Sequence, residues 1–294
     1  MISVVGSVNA DFVINVQRRP KLGETVFGDS FHIYPGGKGA NQAVAIAKLG
    51  GAVQFFGCVG DDVYAKLMVD NLNKHGVLTD SIKTVKSSPT GIAVITLEDG
   101  DNGIIVIKGA NEKVDADYID SVASKLLESD FVLLQNEIPI HTVEYVIELC
   151  HKKGVKVILN PAPAHQLKEG LIDKITHVTP NEHEAMLIVR GYETLEELMK
   201  AYPKKMIVTM GAKGASYCEG SNIVNVPALD NVKVVDTTGA GDTFSGAFVK
   251  GLSDSKNIKE AIEFAQCASG MSVEKRGAQE GMPTLEELKE RCLI

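Results

Sequence analysis

The chain has no apolar run of about 18 residues, so nothing in it reads as a bilayer-spanning helix. It has no excess of positive charge. Thirty Lys and Arg against 38 Asp and Glu leave a formal net charge of −8, which argues against a nucleic-acid or anionic-membrane surface. Its five cysteines, at 58, 150, 218, 267 and 292, form no C-x-x-C pair, so reduced, mostly buried thiols in a cytoplasmic protein are expected rather than a metal site. The opening MISVVGSVNADF has no basic segment before its short apolar run and reads as a strand, not a secretory signal. Repeats, low-complexity tracts and Pro/Ser linkers are also missing, so residues 1–294 are expected to form a single α/β domain.

What is present is ordinary for a soluble globular protein: 44% hydrophobic and 23% charged residues. Short apolar runs at 2–5, 53–59, 131–134, 155–159, 177–179 and 206–210 alternate with helical patterns at 40–49, 63–75, 116–127, 142–152, 182–189 and 195–201. Helices also read at 240–252, 259–273 and 285–291, and a strand near 232–235. This alternation predicts a doubly wound, mainly parallel sheet with helices on both faces. Residues 12–34 and 91–108 break the rhythm with period-two alternation, the second as a hairpin around DGDNG at 99–103. They predict antiparallel strands in a small separate layer, well placed to act as a lid over an α/β crevice.

Several motifs carry chemistry. In YPGGKGANQAVAIAKLG (34–50), Gly36, Gly37 and Gly39 allow close backbone approach to a ligand, and Asn41 projects from the first helical turn. The spacing is not that of a phosphate P-loop, and the context is not that of a dinucleotide fingerprint. In GSVNAD (6–11), Asn9 and Asp11 point the same way on an extended chain and suit hydroxyl recognition, or else form an ordinary Asx turn. LLQNEIP (133–139) puts Glu137 at a strand's carboxyl edge, and NPAPA (160–164) follows the next strand. In VTPNEHEA (178–185), Asn181 and Glu184 share a helix face; they could order water around Mg²⁺ or form a capping box, and spacing does not choose. VTMGAKGA (208–215) is a strand with a small-residue turn suited to a nucleotide.

The fullest signal is VVDTTGAGDTFSGAF (234–248), where Gly239, Ala240, Gly241 and Asp242 open a helix. Bare N–H groups there form a nest backed by the helix dipole, suited to a transferring phosphoryl group. Asp242 at the same point could take a proton from a substrate hydroxyl, or could simply cap the helix.

These motifs, in this order, resemble the ribokinase/PfkB family of carbohydrate kinases. GGKGANQA and DTTGAGDTFSGAF carry the likeness, supported by GSVNAD, NPAPA, PNEHEA and RGAQEGMP, so that it spans nearly the whole chain. The resemblance implies an α/β fold whose β-sheet lid forms a homodimer interface. It implies ATP-dependent phosphorylation of a sugar hydroxymethyl, here O5 of D-ribose, with deoxyribose, a nucleoside or another sugar as alternatives. By motif, Asn9, Ala10, Asp11, Gly37, Lys38, Gly39, Ala40, Asn41 and Glu137 would bind the sugar. Asn136, beside Glu137, departs from the leucine expected there. Asp242 would be the catalytic base, and Gly239, Ala240 and Gly241 the anion hole. Asn181, Thr209, Met210, Gly211, Ala212, Lys213, Gly214, Gly241, Asp242 and Gln266 would line ATP, with Glu184 holding Mg²⁺ through water. A potassium ion would be bound by Asp236, Thr238, Ser272, Lys275, Gly277 and Gly281, largely through carbonyls. A catalytically silent sugar-binding protein would be expected to have lost Asp242 or the glycines before it, and both are present.

Overall fold

The structure, a computed structural model, describes residues 1–98 and 101–292. In chain order its strands are β1 (Ile2–Val5), β2 (Asn9–Val16), β3 (Gly28–Gly36), β4 (Val53–Gly60), β5 (Leu78–Val85), β6 (Gly91–Glu98) and β7 (Asp101–Ile107). They continue with β8 (Phe131–Leu134), β9 (Lys156–Leu159), β10 (His177–Val178), β11 (Ile207–Thr209), β12 (Ala215–Glu219) and β13 (Asn222–Val226). The helices are α1 (Lys38–Lys48), α2 (Val63–Lys74), α3 (Ala116–Leu126), α4 (Ile140–Lys153) and α5 (Glu182–Ile188). They end with α6 (Leu195–Ala201), α7 (Ala240–Ser253), α8 (Ile258–Ser272) and α9 (Leu285–Cys292).

Short, mostly apolar strands can bury both faces, and β1 and β8 at the centre of the sheet do so. The central sheet runs β10-β9-β8-β1-β4-β5 with every neighbouring pair parallel. Successive side chains alternate between two cores. Ile2, Val4, Val53, Phe55, Phe131, Leu133 and Ile158 face one core with α1 and α2. Val5, Phe56, Val132, Leu134, Val157 and Leu159 face the other with α3, α4, α5 and α6. Isolated parallel bridges, Val178 to Met206 and Asn181 to Thr209, carry the layer on to the antiparallel sheet β11-β12-β13, which packs with α7, α8 and α9. Among the described residues no helix is long and apolar enough to cross a membrane.

A second sheet, in the order β3-β2-β6-β7, is where expectation and structure part. Its β2–β3 and β6–β7 pairs are antiparallel, but β2 and β6 run parallel. The two hairpin-like regions join side by side instead of continuing one meander, which local alternation does not encode. Asp101, Asn102 and Gly103 belong to β7; the rest of the expected turn, 99–100, lies outside the described residues.

Other differences have simple causes. The strand expected at 232–235 is a loop: Val234 and Val235 are exposed, and the N–H groups of Val235 and Asp236 both donate to the Val273 carbonyl. β5 and β13 went unread because their positions are too mixed in burial to give an apolar run, and β12 because its buried stretch is interrupted by the polar Ser216. Cys267 and Cys292 pair in a disulfide between α8 and α9, against the expectation of reduced thiols, while Cys58, Cys150 and Cys218 are free and buried. No local cysteine motif announces a pairing across 25 residues.

The distance between α1 and the end of β1 is set by Gly39. A Cβ there would lie 2.7 Å from the Ser7 nitrogen, against backbone that cannot swing aside. Gly39→Ala should therefore push α1 outward, costing about 1–3 kcal/mol as an overpacked site does. Chemical denaturation checks this, and a variant as stable as the parent would contradict it.

Candidate active site

In an open parallel sheet the carboxyl ends of the strands line the ligand crevice. Beyond those ends lie Ser7 (after β1), Gln135 to Glu137 (after β8), Asn160 (after β9) and Asn181 (after β10). Asn9, Ala10 and Asp11 open β2 rather than closing β1, so the second sheet delivers them.

Glycines make room for these side chains. Asn9 pairs across the sheet with Gly36 on one side and Gly91 on the other. A Cβ at Gly36 would fall on the Asp11 carboxylate, and one at Gly91 on the Asn9 amide oxygen. Gly37 has φ of +90°, where a Cβ is also strained, and its own would meet the Asn9 nitrogen at 2.8 Å. Asn111, absent from every sequence motif, orients Asn9: its Nδ2 donates to Asn9 Oδ1 at 2.8 Å, while its Oδ1 accepts from the Val8 N–H. Glu137 Oε2 accepts from the Ser7 hydroxyl at 2.5 Å and from the Lys38 N–H at 2.9 Å.

Asp242 sits in the first turn of α7 and is buried. Asn41 Nδ2 donates to its Oδ2 at 2.9 Å and Gln42 Nε2 to its Oδ1 at 3.0 Å. Gln135 Nε2 donates to Gln42 Oε1 at 2.6 Å, and Gln42 Nε2 also reaches Asn160 Oδ1 at 3.2 Å. Asp242 is thus clasped by α1, not merely capping its own helix. Gly239, at φ +78°, is the N-cap, and a Cβ there would meet Ala278 Cβ at 2.8 Å. The Ala240 N–H is taken by the Thr237 carbonyl at 3.2 Å, whereas the Gly241 and Asp242 N–H groups, in the first turn, lack acceptors within the helix. Space beside Gly241 is open.

Charge gathers here. Asp11 is pushed up to about 7, by burial first and then by the Glu137 and Asp242 carboxylates, and its Oδ1 is buried without a partner among the described residues. Asp242 conversely holds the Lys38 ammonium above its usual range; burial opposes this, and Glu137 and Glu184 add to it. Lys38 therefore senses carboxylates on both the Asn9 side and the Asn181 side.

On the latter side, Asn181 and Glu184 form the capping box that their spacing allowed. Asn181 Oδ1 accepts from the Glu184 N–H at 2.8 Å, and Glu184 Oε2 from the Asn181 N–H at 2.9 Å. The capping box engages Oε2 of Glu184, which leaves its Oε1 available to a hard cation. Thr209 bridges to Asn181, and Met210 to Gly214 form a turn closed by the Met210 N–H on the Gly214 carbonyl at 2.8 Å. Gln266 is buried in α8.

The loops at 236–238 and 272–281 also meet. Asp236 accepts from the Thr238 and Gly277 N–H groups, each at 2.9 Å; burial acts upward on its carboxyl, but these donors outweigh it and hold it below the usual range. The Ser272 and Gly277 carbonyl oxygens both lie beside Gly281, where a Cβ would strike the first at 2.3 Å and crowd the second, which accepts the Gly281 N–H at 3.0 Å. Carbonyls near an ionised carboxylate suit a large monovalent cation, whereas the Lys275 ammonium turns to Glu287.

The pfkB family carbohydrate kinase model matches residues 1–285. The ribokinase of Bacillus subtilis (strain 168) is 46% identical over 98% of both chains. The deoxyribokinase of Salmonella typhi is 36% identical, over 98% of this chain and 97% of its own. The structure of Arabidopsis thaliana ribokinase complexed with ribose and ATP superposes with a TM-score of 0.88 at 34% identity, covering 98% of this chain and 97% of that one.

Asp11 gives a test of the site's electrostatics. Its carboxyl titrates at 3.8 ordinarily and at about 7 in the fold, so the folded state holds the proton more tightly. Protonation thus favours folding: the contribution is whole below the ordinary value and drains away as pH rises through 7. Asp11→Asn, which cannot ionise, should lose less melting temperature between pH 6 and pH 8 than the parent, by roughly 2–4 °C per kcal/mol of the effect. Equal losses in a thermal melt would refute the assignment.

Proposed function

The chain belongs to the pfkB family of carbohydrate kinases, and from that premise we propose that it phosphorylates D-ribose at O5 with ATP. The observation that carries this reading is a buried carboxylate and two uncommitted N–H groups in the same helical turn. Asp242 takes the proton of the sugar hydroxymethyl as its oxygen attacks the γ-phosphorus, and the bond to the ADP oxygen breaks. Charge developing on the transferred group meets the Gly241 and Asp242 N–H groups and the Lys38 ammonium. Asn9, Ala10, Asp11, Gly37, Gly39, Ala40, Asn41 and Glu137 bind the sugar. Asn181, residues 209–214 and Gln266 bind the nucleotide.

Mg²⁺, when bound, would neutralise phosphate charge, and Glu184, whose Oε2 alone is engaged by the capping box, would hold it through water. K⁺ would be held by Asp236, Thr238, Ser272, Lys275, Gly277 and Gly281, ordering the loop before Asp242. Ribose is favoured over deoxyribose by the higher identity of the ribose-named relative. This chemistry belongs in the cytoplasm, where ATP is made.

The second sheet acts as a lid and joins two copies of the chain. β7, at one edge, exposes Ile104, Ile105, Val106 and Ile107 in succession, and Phe27 and Phe31 are exposed just before and within β3, the opposite edge of the same sheet. Four consecutive exposed apolar residues on an edge strand need covering, and a second copy with the same strip is self-complementary.

A coupled ADP-release assay over ribose, deoxyribose, fructose and adenosine, run in potassium and in sodium buffers, tests the whole reading. Turnover should be fastest with ribose in potassium; no turnover with any sugar would refute it. Asp242→Asn should cut kcat by at least about 10²-fold, in line with the worth of a general base, with a much smaller change in sugar affinity. In sedimentation the parent should weigh twice its 31.5 kDa and Ile105→Asp once, and a monomeric parent would exclude the dimer.

A further inference from the structure

An amide can offer either end to a carboxylate, and only its NH₂ end attracts one. In this chain the choice is made well away from Asp242. Gln279 Nε2 donates to Asn41 Oδ1 at 2.9 Å, which occupies the Asn41 oxygen and turns its Nδ2 toward Asp242. Gln279 is itself fixed at both ends. Asn71 Nδ2 donates to its Oε1 at 2.7 Å, and Lys48 Nζ to its backbone oxygen at 3.1 Å.

Every link runs from N–H to oxygen in the same sense, from Asn71 through Gln279 and Asn41 to Asp242. Reversing Gln279 or Asn41 would set oxygen against oxygen on one side and NH₂ against NH₂ on the other, and reversing Asn71 would set its oxygen against that of Gln279. Gln279 is 5% exposed, whereas Asn71 is half-buried on α2 at a cavity of about 270 Å³ that Lys48, His75 and Gln279 also line. The inner links are therefore shielded from water, which would otherwise satisfy either orientation equally well.

We propose that Gln279 is a positioning residue for Asp242, acting through Asn41, and that Asn71 sets the orientation of Gln279. The proposal rests on the kinase reading, in which Asp242 is the base. Gln279→Glu keeps the shape and the acceptor for Asn71 but replaces the donor to Asn41 with an acceptor, so it favours the reversed Asn41. Asn71→Ala removes only the outermost donor, at a half-exposed helix position where alanine is well tolerated.

In steady-state kinetics, Gln279→Glu should lower kcat about 10-fold or more and Asn71→Ala about 3-fold, both with the KM for ATP little changed. The double variant should be no slower than Gln279→Glu alone, because both changes act on one orientation. Asn71→Ala should keep its melting temperature, which a merely structural role for the relay would not combine with a lower kcat. In NMR, hydrogen exchange of the Asn41 side-chain NH₂ should speed up in both variants. Unchanged exchange, an undiminished kcat in Gln279→Glu, or additive losses in the double variant would each overturn the relay. A parent inactive on every sugar would instead defeat the kinase reading, and the exchange measurement would still decide the relay.

Discussion

One buried charge organises this molecule. Asp242 sits at a helix N-terminus, where the dipole favours an anion, and both its oxygens accept amide N–H groups from the facing helix. A carboxylate out of water is costly unless such donors replace its hydration. Donors that replace hydration also fix direction, so the groups that make the charge tolerable aim it. α1 and α7 are bound to one another through that clasp, and Gly246, whose Cβ would strike the Ala45 side chain and the Gln42 carbonyl, lets them approach closely enough to form it.

Around that centre, space is made by omission. Gly36 and Gly91 leave the room that Asp11 and Asn9 occupy, and Gly39 and Gly37 let the backbone of α1 settle onto Ser7 and Asn9. Two sheets are brought to one crevice in this way: the parallel sheet supplies Ser7, Glu137 and Asn160, and the mixed sheet supplies Asn9 and Asp11. The mixed sheet therefore both carries Asn9 and Asp11 to the crevice and exposes an apolar edge strand, so a contact made at that edge and the position of those two side chains belong to one element.

How much of this could be read in advance follows from the range of the forces involved. Strands such as 131–134 and 155–159 were legible because burial on both faces demands an unbroken apolar run, and that demand is local. β5 and β13 have mixed burial and β12 is broken by a buried serine, so none left such a mark, while the Val232 to Val235 segment looked like a strand yet finds no partner strand. The parallel union of β2 with β6 joins residues about eighty apart, and alternation within each strand is blind to it. The site divides the same way. Residues that work within one turn, such as Asn181 with Glu184 or Gly239 with Asp242, stand together in motifs. Asn111, Asn71 and Gln279 act across more than a hundred residues or from outside any motif, and amides of this kind are common enough that composition gives no hint.

The relay also connects the loop that carries Gln279 to Asp242. Gln279 lies between Gly277 and Gly281, in the loop whose Gly277 N–H donates to Asp236. Its backbone is tied to Lys48 and its side chain to Asn41, so whatever orders that loop fixes the position from which Gln279 reaches Asn41. Order in the loop can thus pass to the carboxylate by two routes. One runs along the chain through Gly239 into α7, whose N-cap rests on Ala278; the other runs through the side chains of Gln279 and Asn41. The two arrive at the same residue from opposite sides, one setting where the carboxylate stands and the other which way it points.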